Sequence, residues 1–283
     1  MQYDLGCRMP LDQWIWLNRV GCFENASLKQ FVSPFPPVEL MQNVSGLTTE
    51  RDFASHGADF YIALSAASPC SLTAYKKLLD FGCGCGRLAR MFKGHPNELF
   101  GCDIDRRHIE WVKHALLNVN AEVTSVSPPL PYAGDTFDAI ISISIFTHLN
   151  EESQDKFLEE LWRISAPQGY LFLTVHGKRA LDRALNEKQI RAMISVEEGP
   201  FQSAVRQFTA GKHGFILQHG HLTTSNTWGS SSNRLVTEPF EYGITFVPEE
   251  YVRSHWGKWF DVFDYRHGAI HDFQDIVVLR PKK

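Results

Sequence analysis

The sequence predicts an α/β fold, with a mostly parallel sheet between two layers of helices. From Lys77 onward, short apolar runs alternate with amphipathic helical patterns, which is typical of crossover connections between parallel strands. The connection between the last two runs is so short that it permits only a hairpin, so the final strand is expected to run antiparallel to its neighbour. Three glycines at alternate positions, Gly82, Gly84 and Gly86, follow the first run, where a ligand can approach the backbone.

The individual elements can be assigned in chain order. The parallel strands are expected at KLLDFG, ELFGCD, AEVTSV, TFDAIISIS and GYLFLTVHG. Helical patterns occur at RLARMF, RRHIEWVKHALLN, EESQDKFLEELWRI and PEEYVRSHWGKW. The closing hairpin is expected at FDVFDYRH and DIVVLRP, which GAIHDFQ joins. We therefore expect a seven-stranded sheet whose last strand is reversed.

Four segments are expected along the chain. Residues 1–73 form a helical N-terminal extension that prolines interrupt, and residues 74–177 form the core. Residues 178–247 form an inserted cap, which opens with the helical pattern KRALDRALNEKQIRAMI and continues as a polar, glycine-rich stretch. Residues 248–283 supply the helix and strands that complete the core. Because a cap of this kind excludes water from a reaction, we expect the insertion to contribute substrate contacts.

The composition is that of an ordinary globular chain. Of its 283 residues 43% are hydrophobic, and a formal charge of -4 gives no electrostatic reason to expect a nucleic acid as partner, although a local basic patch stays open. No apolar run approaches the ~18 residues of a membrane helix, and the N-terminus lacks the basic and apolar regions of a signal peptide. The cysteines have neither disulfide-framework nor metal-pair spacing, so reduced thiols are expected. We therefore expect a cytoplasmic protein without nucleic-acid or membrane partners.

The glycine loop resembles the first motif of the class I S-adenosylmethionine (SAM) methyltransferases. Its spacing is Asp80-x-Gly82-x-Gly84-x-Gly86, whereas the dinucleotide fingerprint G-x-G-x-x-G needs a glycine where this chain has Arg87. Later segments resemble the same family in the expected order: LFGCDID, PLPYAGDTFDAIISIS, IFTHL, ISAPQGYLFLTVHG and the closing hairpin. The segments GCGCGR, FTHL and QDIVVL are most similar to those of small-molecule methyltransferases, including ones associated with sugar and glycan pathways.

The resemblance implies a Rossmann-like class I methyltransferase fold, with SAM as cofactor and S-adenosylhomocysteine as product. The three glycines are then expected to pass beneath the methionine part of SAM, and Asp80 to reach its ammonium group through water or backbone. Asp103 would accept hydrogen bonds from both ribose hydroxyls, and Ile104 would pack on adenine. A side chain at Gly84 is expected to block binding by filling the space that the ligand needs.

Two histidines are candidates for the acceptor end of the site. The resemblance places His148, in IFTHL, beside the sulfonium, where it can remove the proton of a hydroxyl acceptor as general base. An imidazole that only orients the loop is the alternative, since alignment alone suffices for an amine acceptor. His176 ends the fifth strand at the same edge of the sheet and is the second candidate. With His148 as base, the rate is expected to fall as the pH drops through ~6.5. The expected reaction is methyl transfer to oxygen or nitrogen of a small molecule.

Four further histidines raise the question of a metal site. HGH places His219 and His221 on one face of an extended segment, and HGAIH adds His267 and His271. No carboxylate or cysteine stands at a ligand spacing nearby, so solvated histidines are favoured and no metal is expected.

Neighbouring activities lack their motifs in this chain. The segment after the fourth strand reads SISIFTHL, without the Asn- or Asp-Pro-Pro-aromatic motif of base-modifying amino-methyltransferases. Glu151 and Glu152 begin an amphipathic helix and not the paired-glutamate loop of protein arginine methyltransferases. Two alternatives stay open: a nucleotide-binding oxidoreductase, whose glycines would hold a pyrophosphate, and a SAM-binding regulatory protein without an acceptor pocket.

Overall fold

The computed structural model describes residues 9–92, 97–220 and 240–283. Their strands are β1 (Lys77–Phe81), β2 (Glu98–Asp103), β3 (Val119–Val123), β4 (Phe137–Ser142), β5 (Ser165–Val175), β6 (Gly214–His219), β7 (Tyr242–Phe246), β8 (Phe260–Ile270) and β9 (Gln274–Pro281). Seven of them form one sheet in the order β3-β2-β1-β4-β5-β9-β8, and β6 pairs with β7 in a second sheet. Strand β9 runs antiparallel to both β5 and β8, whereas β1, β2 and β3 are parallel, as are β4 and β5. The predicted fold class is confirmed.

The α-helices of the described residues match most of the predicted patterns. They are α1 (Leu11–Trp16), α2 (Cys22–Glu24), α3 (Val38–Ser45), α4 (Glu50–Ala67), α5 (Arg106–Ala115), α6 (Glu151–Ile164), α7 (Lys178–Asn186), α8 (Lys188–Ile194), α9 (Glu198–Thr209) and α10 (Glu249–His255). Side-chain caps explain where several begin, because the Thr49 and Asn150 side chains accept the orphan N–H groups of Asp52 and Ser153. None of the described helices is both long and apolar enough to cross a membrane.

Two expectations about the insertion need correction. The predicted single helix over KRALDRALNEKQIRAMI is broken at Glu187, whose backbone is extended, and the Glu187 carboxylate instead pairs with the Arg183 guanidinium at 2.7 Å. The break allows Leu181 of α7 and Ile194 of α8 to enter one buried cluster. Strands β6 and β7 were not expected, since their pairing joins residues far apart in sequence. Part of the glycine-rich stretch lies outside the described residues.

The chain divides into two compact units, of which the first comprises the described residues up to 124. Here the helical extension packs on the segment that follows the glycine loop. The Trp14 indole donates a hydrogen bond to the Met91 carbonyl at 3.1 Å. The buried Arg90 guanidinium donates to the Ser33 carbonyl at 2.6 Å and lies 4.0 Å from the centre of the Phe35 ring. Buried contacts therefore join the extension to this part of the core, and the predicted segment boundary at residue 73 stays a prediction.

The second unit comprises the described residues from 125 onward. Strands β4 and β9, and β5 from Leu171 onward, are almost continuously buried, as expected for the interior of a sheet that helices cover. The insertion has a hydrophobic cluster of its own, in which Phe201, Ile216 and Phe246 are each at most 2% exposed. Phe246 ends β7, and its backbone forms an isolated parallel bridge with His176 at the end of β5. The insertion is thus anchored to the end of a core strand.

Candidate active site

The loop after β1 has a backbone that requires its three glycines. Gly82, Gly84 and Gly86 have φ angles of 77°, 52° and 84°, a region that residues with a side chain rarely adopt. The N–H groups of Gly82 and Cys83 both donate to the Cys102 carbonyl, at 2.8 and 3.0 Å, which fixes the start of the loop against the end of β2.

The side-chain positions of two loop glycines face protein. An ideal Cβ on Gly84 would lie 2.7 Å from a methyl group of Val44 in α3, and one on Gly86 would lie 2.5 Å from Leu116. The expectation that a side chain at Gly84 would fill ligand space is therefore wrong in its reason: it would collide first with α3. Glycine at this position is required by the packing of the helical extension as well as by its φ angle.

Gly84→Ala is expected to lower the free energy of unfolding by about 2 kcal/mol or more, because the left-handed backbone is costly and Val44 must move. Gly199→Ala is the matched control, since a Cβ at Gly199 meets nothing within 4 Å. Thermal and urea unfolding measure both variants. If the two variants are equally stable, α3 moves away from the added methyl group at little cost and the prediction is wrong.

Asp80 is a buried carboxylate with an unpartnered oxygen. The residue is 3% exposed, and its Oδ2 atom has no hydrogen-bond partner among the described residues. Burial, together with the nearby charge of Asp103, raises the pKa of Asp80 to about 7, and Arg87 partly opposes this rise. The carboxylate is therefore about half ionised near neutral pH, and a cation placed beside it would stabilise the ionised form.

Asp103, at the end of β2, holds the glycine loop directly. Its Oδ2 accepts the Gly84 N–H at 2.9 Å, and its Oδ1 accepts the Asp105 N–H at 2.8 Å. The buried His108 ring lies 3.7 Å from Oδ1, too far for a hydrogen bond. Ile104, the predicted adenine contact, is half-buried directly after Asp103. The structure thus brings Asp103 to the loop with Asp80, as the sequence predicts, and gives it a second task as a loop anchor.

Arg87 was not among the predicted site residues. Its guanidinium lies 4.5 Å from the centre of the Phe60 ring in α4 and close enough to Asp80 for each to shift the other's pKa. The signal was present in the sequence as a cation directly after the third glycine. It could not be interpreted there, because Phe60 and Asp80 come close to it only through folding.

In the second unit, His148 is held by strand β7. The ring Nδ1 lies 2.7 Å from the Gly243 carbonyl oxygen, which only accepts, so Nδ1 carries the proton and Nε2 keeps its lone pair. The Gly243 N–H in turn donates to the His148 carbonyl at 3.2 Å. The ring stacks on Tyr242, with centroids 4.6 Å apart and planes 15° apart. His148 is therefore fixed in one tautomer and one orientation.

His176 lies next to His148, with ring centroids 6.4 Å apart. It is 5% exposed, and in the part of the chain that the structure describes its Nδ1 has no hydrogen-bond partner. Burial lowers the pKa of His148 to about 4 and, with the neighbouring ring, that of His176 to about 3. Both imidazoles are therefore neutral at pH 7, and the expected loss of activity near pH ~6.5 is replaced by one near 4.

The remaining histidines do not form a metal site in the described residues. His219 stacks on Tyr242 at 6.4 Å, whereas His267 lies between the carboxylates of Glu249 and Asp275, at 3.1 and 3.5 Å. Within the described ranges, no group of three or more metal-ligating side chains could hold an ion. His221 lies outside the described residues.

Comparison with known proteins identifies the class. Residues 78–169 match a family model described as a methyltransferase domain. This segment of the chain is a SAM-dependent methyltransferase domain, and the family recognised from the glycine loop is confirmed there.

One curated protein and two solved structures show how far similarity to individual proteins extends. A tRNA (carboxymethyluridine(34)-5-O)-methyltransferase of Arabidopsis thaliana is 31% identical over 125 residues, which are 42% of this chain and 28% of that protein. Human N-acetylserotonin methyltransferase in complex with SAM is 16% identical and covers 95% of this chain and 67% of its own, with a TM-score of 0.47. The CcbJ methyltransferase from Streptomyces caelestis is 10% identical, with coverages of 80% and 90% and a TM-score of 0.49.

Proposed function

We propose that this chain is an enzyme that transfers the methyl group of SAM to an oxygen or nitrogen of a small molecule. The observation that carries the proposal is the glycine loop with Asp80 and Asp103, where the buried Oδ2 atom of Asp80 has no partner in the described ranges. When bound, SAM supplies an electrophilic methyl group on a positively charged sulfur. Gly82, Gly84 and Gly86 are proposed to bring the loop backbone against its methionine part.

The residues of the loop fit this cofactor. Asp80 is proposed to face the ammonium group, which would supply the missing positive charge. Asp103 has about four lone-pair sites, of which the N–H groups of Gly84 and Asp105 take one each. Two sites remain, which matches the two hydroxyl groups of a ribose. Ile104 is proposed to pack on the adenine ring.

His148 is the proposed general base. Its Nδ1–H donates to the Gly243 carbonyl, so Nε2 is the atom that would take a proton from the acceptor. A base with a pKa of about 4 has little driving force toward an ordinary alcohol. Acidic hydroxyl groups, and amines that need only alignment, are therefore the acceptors that fit best. His176 and the insertion are proposed to line the acceptor side.

The affinity for SAM is expected to rise as the pH rises through about 7, because the ammonium group binds the ionised form of Asp80, whose pKa lies there. Below that pH the Asp80 carboxyl must lose its proton before the ammonium group can bind, so the affinity for SAM falls by up to about tenfold per pH unit. Calorimetry at a series of pH values measures this slope, which Asp80→Asn is expected to remove. A flat profile in the unmodified protein would separate Asp80 from the ammonium group.

Binding and turnover test the proposed function directly. Calorimetric titration is expected to show micromolar SAM binding and no binding of NAD. Incubation with metabolite pools is then expected to convert SAM to S-adenosylhomocysteine only when an acceptor is present. If the protein binds NAD and does not bind SAM, the result would favour an oxidoreductase. SAM binding without turnover on any pool would favour a regulatory protein.

A second candidate is methylation of a tRNA nucleoside. It is favoured by the 31% identity with the Arabidopsis tRNA methyltransferase, and the formal charge of -4 disfavours it. The same turnover assay with unmodified and wobble-modified tRNA decides between the two. Methyl incorporation into tRNA that exceeds incorporation into small molecules would replace the first proposal.

A further inference from the structure

Strand β7 of the insertion runs past the segment that carries His148. The Gly243 N–H donates to the His148 carbonyl at 3.2 Å, and the Thr245 N–H donates to the Thr147 carbonyl at 2.9 Å. The Thr245 hydroxyl donates to the Leu149 carbonyl at 2.6 Å. Hydrogen bonds from one strand therefore hold His148 and the residues on both sides of it.

Thr245 is bound to this segment through its backbone and its side chain. The residue is fully buried, and its two donors reach carbonyls on either side of His148. His213, which directly precedes β6, also forms a hydrogen bond with the Leu149 backbone. Both partners of Leu149 belong to the insertion, so the insertion fixes the place where the segment ends and α6 begins.

The same strand reaches the second histidine. The Val247 N–H donates to the His176 carbonyl at 2.9 Å, and Phe246 forms the parallel bridge with His176. Strand β7 therefore joins the residues that follow β4 to the end of β5. The placement of the two imidazoles relative to each other depends on this strand of the insertion.

The ring of His148 depends on the register of its backbone with β7. Tyr242 stacks on the ring, and the Gly243 carbonyl accepts its Nδ1–H at 2.7 Å. Ring and backbone of His148 thus contact neighbouring residues of one strand, so a shift of the backbone along β7 would remove the ring from both contacts. Thr245 opposes such a shift, because its hydroxyl binds the residue that follows His148.

We propose that Thr245 is a positioning residue for the methyl transfer: it keeps the segment around His148 in register with β7, so that the insertion orients the base. The proposal rests on the proposed function of His148 as general base. It gives the insertion a task beyond lining the acceptor side, since the base is oriented only while β7 is docked on this segment. A purely structural Thr245 would affect stability and leave the state of the ring unchanged.

The state of the ring is measured by imidazole ¹⁵N spectra of histidine-labelled protein, in which His148→Asn identifies the His148 signals by their loss. The unmodified ring is expected as a single Nδ1–H tautomer with a pKa of about 4. Thr245→Val keeps the side-chain shape and removes the hydroxyl. It is expected to give a mixture of tautomers and a pKa nearer ~6.5, because burial is the larger cause of the low pKa and a released ring gains water.

Two variants separate the loss of the hydroxyl from a loss of stability. Thr245→Ser keeps the hydroxyl and is expected to keep the single tautomer. Ser165→Ala is the matched control, since the buried Ser165 hydroxyl donates to the Leu161 carbonyl at the other end of α6. It is expected to lower stability and to leave the His148 signals unchanged.

The consequence for the reaction is measured by kinetics with the acceptor from the turnover screen. In Thr245→Val, kcat is expected to fall about three- to tenfold, the size expected for one lost hydrogen bond. Calorimetry is expected to show an unchanged affinity for SAM.

Each outcome decides the proposal. A single Nδ1–H tautomer with an unchanged pKa in Thr245→Val would overturn it and leave the proposed function intact, as would an altered ring with an unchanged kcat. If the unmodified protein converts SAM with no acceptor, the proposed function fails and this inference fails with it. If Thr245→Val does not fold, Thr245→Ala replaces it: a mixture of tautomers with a lowered kcat supports the proposal, and an unchanged ring overturns it.

Discussion

His148→Ala is expected to lower kcat by about 10²- to 10⁴-fold and to leave the affinity for SAM nearly unchanged. The reason is that Nε2, which the Gly243 contact leaves with its lone pair, is the proposed acceptor of the substrate proton. The glycine loop, to which we assign the cofactor, does not depend on this ring. Steady-state kinetics with the acceptor from the turnover screen, and calorimetry with SAM, measure the two quantities separately.

The pH profile distinguishes a base from a ring that only shapes the loop. With a pKa of about 4 for His148, the rate is expected to be constant near neutral pH and to fall below about 5. In the unfolded chain both histidines take up protons below ~6.5, so stability also falls as the pH drops from there toward 3 to 4. Circular dichroism at each pH must therefore accompany the kinetics.

Two variants serve as comparison for His148→Ala. His219→Gln alters the other histidine that stacks on Tyr242 and is expected to keep kcat. His148→Asn keeps a polar group but no base of this kind. If His148→Asn retains most of kcat and the same pH profile, His148 is not the base, and His176, 6.4 Å away, is the next residue to test.

Asp103→Ala is expected to weaken SAM binding by about 1 to 3 kcal/mol, because charge-assisted hydrogen bonds to the ribose are lost. The variant also releases the N–H groups of Gly84 and Asp105, so part of the loss reflects the loop. Comparison of S-adenosylhomocysteine with its 2′-deoxy analogue separates the two. The unmodified protein is expected to prefer the ribose form, and Asp103→Ala to lose this preference.

The control for this change is another aspartate of the same unit. Asp59 forms an ion pair with Arg19 at 3.1 Å, and Asp59→Asn is expected to leave cofactor affinity unaltered. An Asp103→Ala protein that still prefers the ribose form would restrict Asp103 to anchoring the loop.

Local sequence patterns were sufficient to predict the order of the helices and strands and the position of the proposed cofactor loop. Short apolar runs with helices between them specify crossover connections, and the seven GAIHDFQ residues permit only a hairpin, so β9 had to reverse. Asp80 lies near the end of β1 and Asp103 ends the adjacent parallel strand β2, so the two residues come to the same end of the sheet without any knowledge of packing. Sequence periodicity was not sufficient at Glu187, where contacts within the insertion break a helix that the pattern predicts as continuous.

The sequence by itself determined the fold class, the methyltransferase family and which loop, carboxylates and histidines to examine, because these depend on residue type and local spacing. Only the tertiary structure decided what those residues can do. The Gly243 carbonyl, 95 positions from His148, fixes its tautomer, and burial moves its pKa from ~6.5 to about 4. Val44 occupies the side-chain space of Gly84, and Phe60 supports Arg87. Each of these effects arises from desolvation or from a contact between distant parts of the chain. Neither desolvation nor a distant contact can be read from the local sequence.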